Sequence, residues 1–238
     1  MEVQEIITQL QGMSNEKYKA NVVKMGIPEA NSIGVSTGEV RKLAKTIEKS
    51  NALAYALWES GYHEARLLAV LLFDKKTLTI KEAAKLMDDV ISWDLCDHLC
   101  KNLIVKIKGF TELINEWIIS NDTYKKRGAF TLMVADVIHN KKITEDTIDE
   151  YLDMVKNYSD DDRDHVKKAA SWALREIGKK DFTENEKAIL LAHELKEGSK
   201  PQQWIAKDAL KELENVVKVE GRGRLISADS MMGKEKDE

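Results

Sequence analysis

The chain has 238 residues, 43% of them hydrophobic and 33% charged, with 37 Lys+Arg against 41 Asp+Glu and a formal net charge of −4. That balance suits one large soluble domain or a repeat array, and 2 prolines with 12 glycines are too few turn residues for a β-sandwich or barrel of this length. No stretch approaches the roughly 20 apolar residues of a membrane span, and the N-terminus (MEVQEIITQLQGM) shows no basic region followed by an apolar run; two cysteines, Cys96 and Cys100, are too few for a disulfide framework, so a reducing cytoplasm is expected.

Helix starts recur along the chain. Ser36 with Glu39, Thr79 with Glu82 and Thr183 with Glu186 fit the reciprocal S/T-x-x-E capping box. Asn51 before ALAYALWES and Ser92 before WDLCDHLCKNL are further N-cap candidates. Apolar residues at spacings of three and four run between these signals, as in Leu67, Val70, Leu71 and in Leu132, Val134, Val137, Ile138. The pattern predicts about twelve helices of roughly 10–15 residues joined by short links, which favour antiparallel neighbours.

A weak repeat relates HEARLLAVLLFD, LCDHLCKNLIVKI, YKKRGAFTLMVADVI, HVKKAASWALREIG and QWIAKDALKEL. Superposing them aligns Arg66, Asp97, Arg127, Ala169 and Ala206, at steps of 31, 30, 42 and 37 residues. Helix-pair repeats of the HEAT and armadillo kind have periods in this range. Each unit leaves an apolar face that only a neighbour can cover, so the predicted fold is an all-α curved solenoid of stacked helix pairs with a concave inner face. Residues 1–220 form this single domain. From about Gly221 (GRGRLISADSMMGKEKDE) the periodicity is lost, and residues 221–238 are expected to be a flexible, solvated tail.

Equivalent positions in stacked repeats lie in a row, which lines up Arg66, Asp97 and Arg127 with the basic helix starts Lys125, Lys126, Lys167 and Lys168. Lysines at a helix N-terminus oppose the macrodipole, so a run of them suggests a ligand that supplies negative charge, with an ordinary solvated basic edge as the alternative. The segment SWDLCDHLC puts Trp93 and Asp97 about 40° apart on one helix face, and Asp94 with Asp97 forms a potential acidic pair. Asp97 sits at the position held by arginine in both flanking repeats. A structural Arg–Asp–Arg network explains that as well as a catalytic carboxylate does. Cys96 and Cys100 share a helix face that His98 does not, so no metal site is expected and buried reduced thiols are. No Gly-rich phosphate loop, G-x-S-x-G or HExxH is present. What remains is carboxylate chemistry assisted by aromatics and arginines, or pure binding.

SWDLCD, YKKRGAF and VKKAASWALRE, in that order on helical repeats, together with the earlier GIPEANSIGVSTGEVRKLAK, resemble the DNA alkylation repair family, the AlkD-like HEAT-repeat alkylpurine DNA glycosylases. The resemblance spans roughly residues 5–215. It implies excision of N3- or N7-alkylated purines from double-stranded DNA without base flipping; separately, no cofactor is expected and a monomer is the natural expectation. The family's tryptophan, aspartate one turn later, arginine on the next inner helix and second tryptophan carry over to Trp93, Asp97, Arg127 and Trp172. These four are expected to meet in one groove, with Arg66, Lys125, Lys126, Lys167, Lys168 and Arg175 contacting DNA. Where typical members double the first tryptophan, this chain has Ser92 before Trp93. A non-catalytic DNA-structure binder and a protein-scaffolding solenoid are the alternatives.

Overall fold

The structure, a computed structural model, describes residues 2–24 and 26–234. The chain divides into two compact units, residues 1–110 and 111–238. The first holds α1 (Val3–Gly12), α2 (Glu16–Lys24), α3 (Thr37–Ala44), α4 (Asn51–Glu59), α5 (His63–Leu72), α6 (Ile80–Lys85) and α7 (Trp93–Asn102). The division falls at the first residue of α8 (Phe110–Ile118). There follow α9 (Thr123–His139), α10 (Glu145–Tyr158), α11 (Asp164–Gly178), α12 (Phe182–Leu195), α13 (Lys200–Leu213), a two-residue antiparallel pair β1 (Val216–Val217) and β2 (Ile226–Ser227), and α14 (Met231–Lys234). The five repeat segments are α5, α7, α9, α11 and α13. In the first unit α5 packs on α3, α4 and α7; in the second α11 packs on α9, α10, α12 and α13.

The repeat register is visible atom by atom. His63 hydrogen-bonds Asp94 and His98 bonds the Leu67 carbonyl, each across 31 residues, while Ser171 bonds Asp208 across 37. These are the offsets that superpose Arg66 on Asp97 and Ala169 on Ala206. Between the contacts lie fully buried side chains: Leu68, Leu72, Phe73, Leu95 and Leu99 in the first unit, Trp117, Phe130, Val155, Leu174 and Ile177 in the second. Cys96 and Cys100 are buried within this apolar packing and form no disulfide.

Thr79 and Glu82 form the full reciprocal box that starts α6, and the Ser36 hydroxyl accepts the Glu39 amide at 3.3 Å to start α3. Two expected caps shift. The hydroxyl before α4 is that of Ser50, which accepts from the Leu53 amide, and Asn51 is the first helical residue. Ahead of α12 the cap is Asp181, whose Oδ1 accepts from Glu184 at 3.0 Å, which leaves Thr183 inside the helix. Asp181 has the fully extended backbone that a cap needs (φ −160°, ψ 179°), two residues earlier than the Thr-x-x-Glu pattern indicated.

The segment after Gly221 also differs from its expectation, because the described residues up to Lys234 are tied to the second unit. Leu225 is buried and its amide donates to Lys179 O at 2.8 Å. Arg224 donates Nη1 to Val137 O at 3.0 Å and Nη2 to the Glu176 backbone and side-chain oxygens. One guanidinium therefore joins the C-terminal ends of α9 and α11, where unpaired carbonyls and the helix dipoles favour a cation. The low apolar content of GRGRLISADS hides a strap held by polar contacts. Arg224→Ala should lower unfolding free energy by about 2 kcal/mol, since it strips charged hydrogen bonds from several acceptors. Urea denaturation checks this, and an unchanged midpoint would show that the strap adds no stability.

Candidate nucleic-acid interface

The α7 helix separates two stripes. Leu95, Cys96, Leu99 and Cys100 are buried, whereas Trp93, Asp94, Asp97 and Lys101 keep access to solvent. Trp93 and Asp97 thus stand on the same accessible side, as their spacing indicated. The acidic pair does not form as expected, because Asp94 Oδ2 lies 2.8 Å from Nε2 of the buried His63. Burial pushes the Asp94 carboxyl up, but the hydrogen bond and charge of His63 outweigh it and hold the group below its ordinary value. Asp94 is engaged in joining the starts of α5 and α7.

Arg66 on α5 is half-buried. Its Nε donates to Trp58 O, its Nη1 donates to Asp89 O at 3.0 Å, and its guanidinium lies 5.4 Å from the Trp58 ring centroid. The indole Nε1 in turn donates to Asp89 Oδ2 at 2.8 Å. Backbone carbonyls fix the Arg66 head, and among the described residues it has no ion-pair partner, so its positive charge is retained.

His98 lies beneath the accessible stripe. Its Nε2 donates to Leu67 O at 3.1 Å and Asn102 donates to its Nδ1, which is the neutral tautomer. Burial, and after it the Arg41 charge, push the imidazole down to about 4. A depressed folded-state value means that the unfolded chain binds this proton more tightly. The contribution is therefore complete above pH 6.5 and is lost progressively between 6.5 and about 4, amounting to about 3 kcal/mol. Urea midpoints measured across that window should fall, and His98→Gln should flatten the fall; equal slopes for the two proteins would contradict this.

In the second unit Arg127 is 6% exposed, and its Nη1 donates to His165 O at 2.7 Å, so the guanidinium links α9 to the first turn of α11. Trp172, in the middle of α11, is half-buried. The predicted basic row is largely matched by the protein's own acids. Lys126 pairs with Asp161 at 3.2 Å, and Arg163 holds the same carboxylate through two nitrogens. These bonds, Arg163's first, hold the Asp161 carboxyl down to about 2. Asp164 pairs with Lys167 at 2.9 Å and Lys168 at 3.6 Å, and Arg175 reaches Glu212 at 3.2 Å. Lys125 is half-buried.

The lysines at these helix starts do not face the helix dipoles alone. Asp122 caps α9 through the Tyr124 and Lys125 amides, and Asp164 occupies the first turn of α11, so negative charge already stands at both N-termini. Sequence reasoning also passed over Glu64, buried at the start of α5, whose carboxylate accepts the Ile33, Gly34 and Val35 amides at 2.8, 2.7 and 3.2 Å. The available signal was an acid inside an otherwise apolar helical segment. Among the described residues no group of three or more His, Cys, Asp or Glu side chains is arranged to hold a metal, and no helix is long and apolar enough to cross a membrane.

Comparison with known proteins matches residues 6–213 to a family described as DNA alkylation repair enzyme. No curated protein matches. Two solved structures share the fold. One belongs to "a new family of proteins related to the HEAT-like repeat DNA glycosylases with affinity for branched DNA structures", at 21% identity and TM-score 0.74, covering 100% of this chain and 94% of that one. The other is AlkD2 from Streptococcus mutans, at 20% identity and TM-score 0.58, covering 88% and 98%. The architecture is the all-α HEAT-like repeat fold.

Proposed function

Since the chain belongs to the DNA alkylation repair enzyme family, we propose that it is a monofunctional glycosylase acting on N3- and N7-alkylated purines in double-stranded DNA. The observation that carries this reading is the accessible stripe of α7, where Asp97 stands one turn from Trp93.

The chemistry fits a site with one carboxylate and no general acid. An alkylated purine of this kind is already cationic, so when the C1′–N bond breaks its electron pair neutralises the departing base. The charge that develops sits on the sugar. Asp97 stabilises that oxocarbenium-like centre electrostatically and accepts the proton of the water that adds to C1′. The face of Trp93 attracts the same cation, at about 0.5–2 kcal/mol, and in the second unit Trp172 contacts the DNA. Arg127, also in the second unit, takes a backbone phosphate by exchanging its hydrogen bond to His165 O for a phosphate oxygen. Arg66, Lys125, Lys126, Lys167, Lys168 and Arg175 bind the backbone, the paired cations among them by exchanging Asp161, Asp164 and Glu212 for phosphate. The active species is a monomer.

A second reading is DNA-structure binding without excision, favoured by the fold shared with a protein family described as having affinity for branched DNA structures. Incubation with methylated duplex separates the two. Base release by the wild type supports excision; salt-sensitive binding without release supports the binder; absence of binding at low salt removes both.

A further inference from the structure

The α13 helix carries a stripe that the glycosylase reading leaves unused. Lys200, Trp204, Lys207 and Lys211 follow one another at spacings of four, three and four, within about 60° of one helix face and over about 16 Å of its length. All four are exposed. The opposite side, Ile205, Ala206, Ala209, Leu210 and Leu213, is buried in the second unit.

Charge along this helix is sorted by face. Its acids point toward α11: Asp208 accepts the Ser171 hydroxyl at 2.7 Å, and Glu212 takes Arg175 at 3.2 Å and Lys179 at 2.9 Å. Among the described residues none of Lys200, Lys207 and Lys211 forms an ion pair, although Lys200 shares a cavity with Asp160, Asp161 and Asp162, so the uncompensated charge is that of Lys207 and Lys211. This is the reverse of the predicted row on α9 and α11, where most cations are matched. Trp204 stands between the lysines, 36% exposed, and the Lys167 ammonium lies 5.0 Å from its ring centroid. That cation–π contact braces the indole while leaving ring surface in solvent.

We propose that this stripe is a contact strip for an unpaired DNA strand, with the Lys207 and Lys211 ammonium groups on phosphates and the Trp204 indole stacked on a base. Uncompensated cations along a line match the regular charge of a nucleic-acid backbone. An aromatic platform among them adds nothing for a duplex, whose base faces are occupied by their neighbours, but stacks on any base freed from pairing. The proposal extends the DNA-binding part of the reading above and is independent of excision. It implies that the preferred substrate has a frayed, gapped or flapped segment within reach of α13.

The test is anisotropy of a labelled oligothymidine and of a blunt duplex of equal length, titrated with the full chain across a salt series. The wild type should bind the single strand, and Trp204→Ala should weaken that binding about 5- to 100-fold while leaving duplex affinity within about twofold. The double variant Lys207→Ala/Lys211→Ala should make the log–log salt slope shallower by about 1.4 on the single strand. All three positions are exposed, and matching circular dichroism and melting curves confirm that the variants fold. Unchanged slope and affinity in the double variant would overturn the strip, and equal losses on both DNAs for Trp204→Ala would overturn the unpaired-strand assignment. Should the wild type release no methylated base while the stripe variants behave as stated, excision fails and this strip stands.

Discussion

Asp97→Asn is expected to slow release of alkylated purine under single-turnover conditions by about 10²–10³-fold, the size of effect seen when one preorganised electrostatic partner of a developing charge is removed. Asparagine keeps the shape and hydrogen-bonding reach of the side chain and removes its charge. The loss should therefore appear in the chemical step and leave DNA affinity and melting temperature near the wild-type values. Asp94→Asn is the informative neighbour. Its partner is His63 rather than solvent, so it should lower stability and spare the rate of the folded fraction. A wild-type rate for Asp97→Asn, or an equal rate loss in both variants, would show that the carboxylate on the accessible stripe is not the one that matters.

The second large effect is structural. Glu64 is 0% exposed and its carboxylate gathers three successive backbone amides, Ile33, Gly34 and Val35, with the Ser32 hydroxyl at 3.4 Å. Consecutive N–H groups curled round one anion form a nest, and burial makes each bond matter more than it would in water. Glu64→Gln places an NH2 group where only acceptors fit, so about 3–5 kcal/mol should be lost from the first unit. Urea unfolding followed by circular dichroism measures this. Ser32→Ala, which removes only the long contact, should cost less than about 1 kcal/mol. A loss for Glu64→Gln as small as that would mean that the loop is held by its own turn chemistry. Gly34 closes the same loop at φ +93°, where an added Cβ would lie 2.7 Å from Lys19 Cβ, so the loop has no room for a side chain there.

Much of this architecture was legible because the repeat is written in the apolar spacing. The offsets of 31 and 37 residues that align Arg66 with Asp97 and Ala169 with Ala206 return as the hydrogen bonds of His63 with Asp94 and Ser171 with Asp208. The accessible placement of Trp93 and Asp97 was legible for the same reason, since residues four apart share a face. Charge pairing was not. Lys126 finds Asp161 across 35 residues and Arg175 finds Glu212 across 37, and a string of lysines carries no mark of partners so distant in sequence. The strap at Arg224 was hidden likewise, because it is held by carbonyls at two helix ends rather than by an apolar stripe. Lys207 and Lys211, which form no ion pair among the described residues, lie in a segment whose sequence signal, QWIAKDALKEL, reads as ordinary amphipathic helix.

The pairing also sets an electrostatic expectation for the whole reading. With a net charge of −4 and most of the predicted cations matched internally, duplex affinity depends on a few unpaired groups such as Arg66 and on exchange of Asp161, Asp164 and Glu212 for phosphate. Binding should fall steeply with added salt.

The account turns on a site that stabilises a sugar cation and protonates nothing, so it must distinguish lesions by the charge of the leaving base. The direct measurement is single-turnover base release by the wild type from two duplexes that differ at one position, 7-methylguanine in one and the neutral hypoxanthine in the other. Release of 7-methylguanine with hypoxanthine left in place is the predicted result. Release of both at similar rates, or of neither while the duplex remains bound, would contradict it.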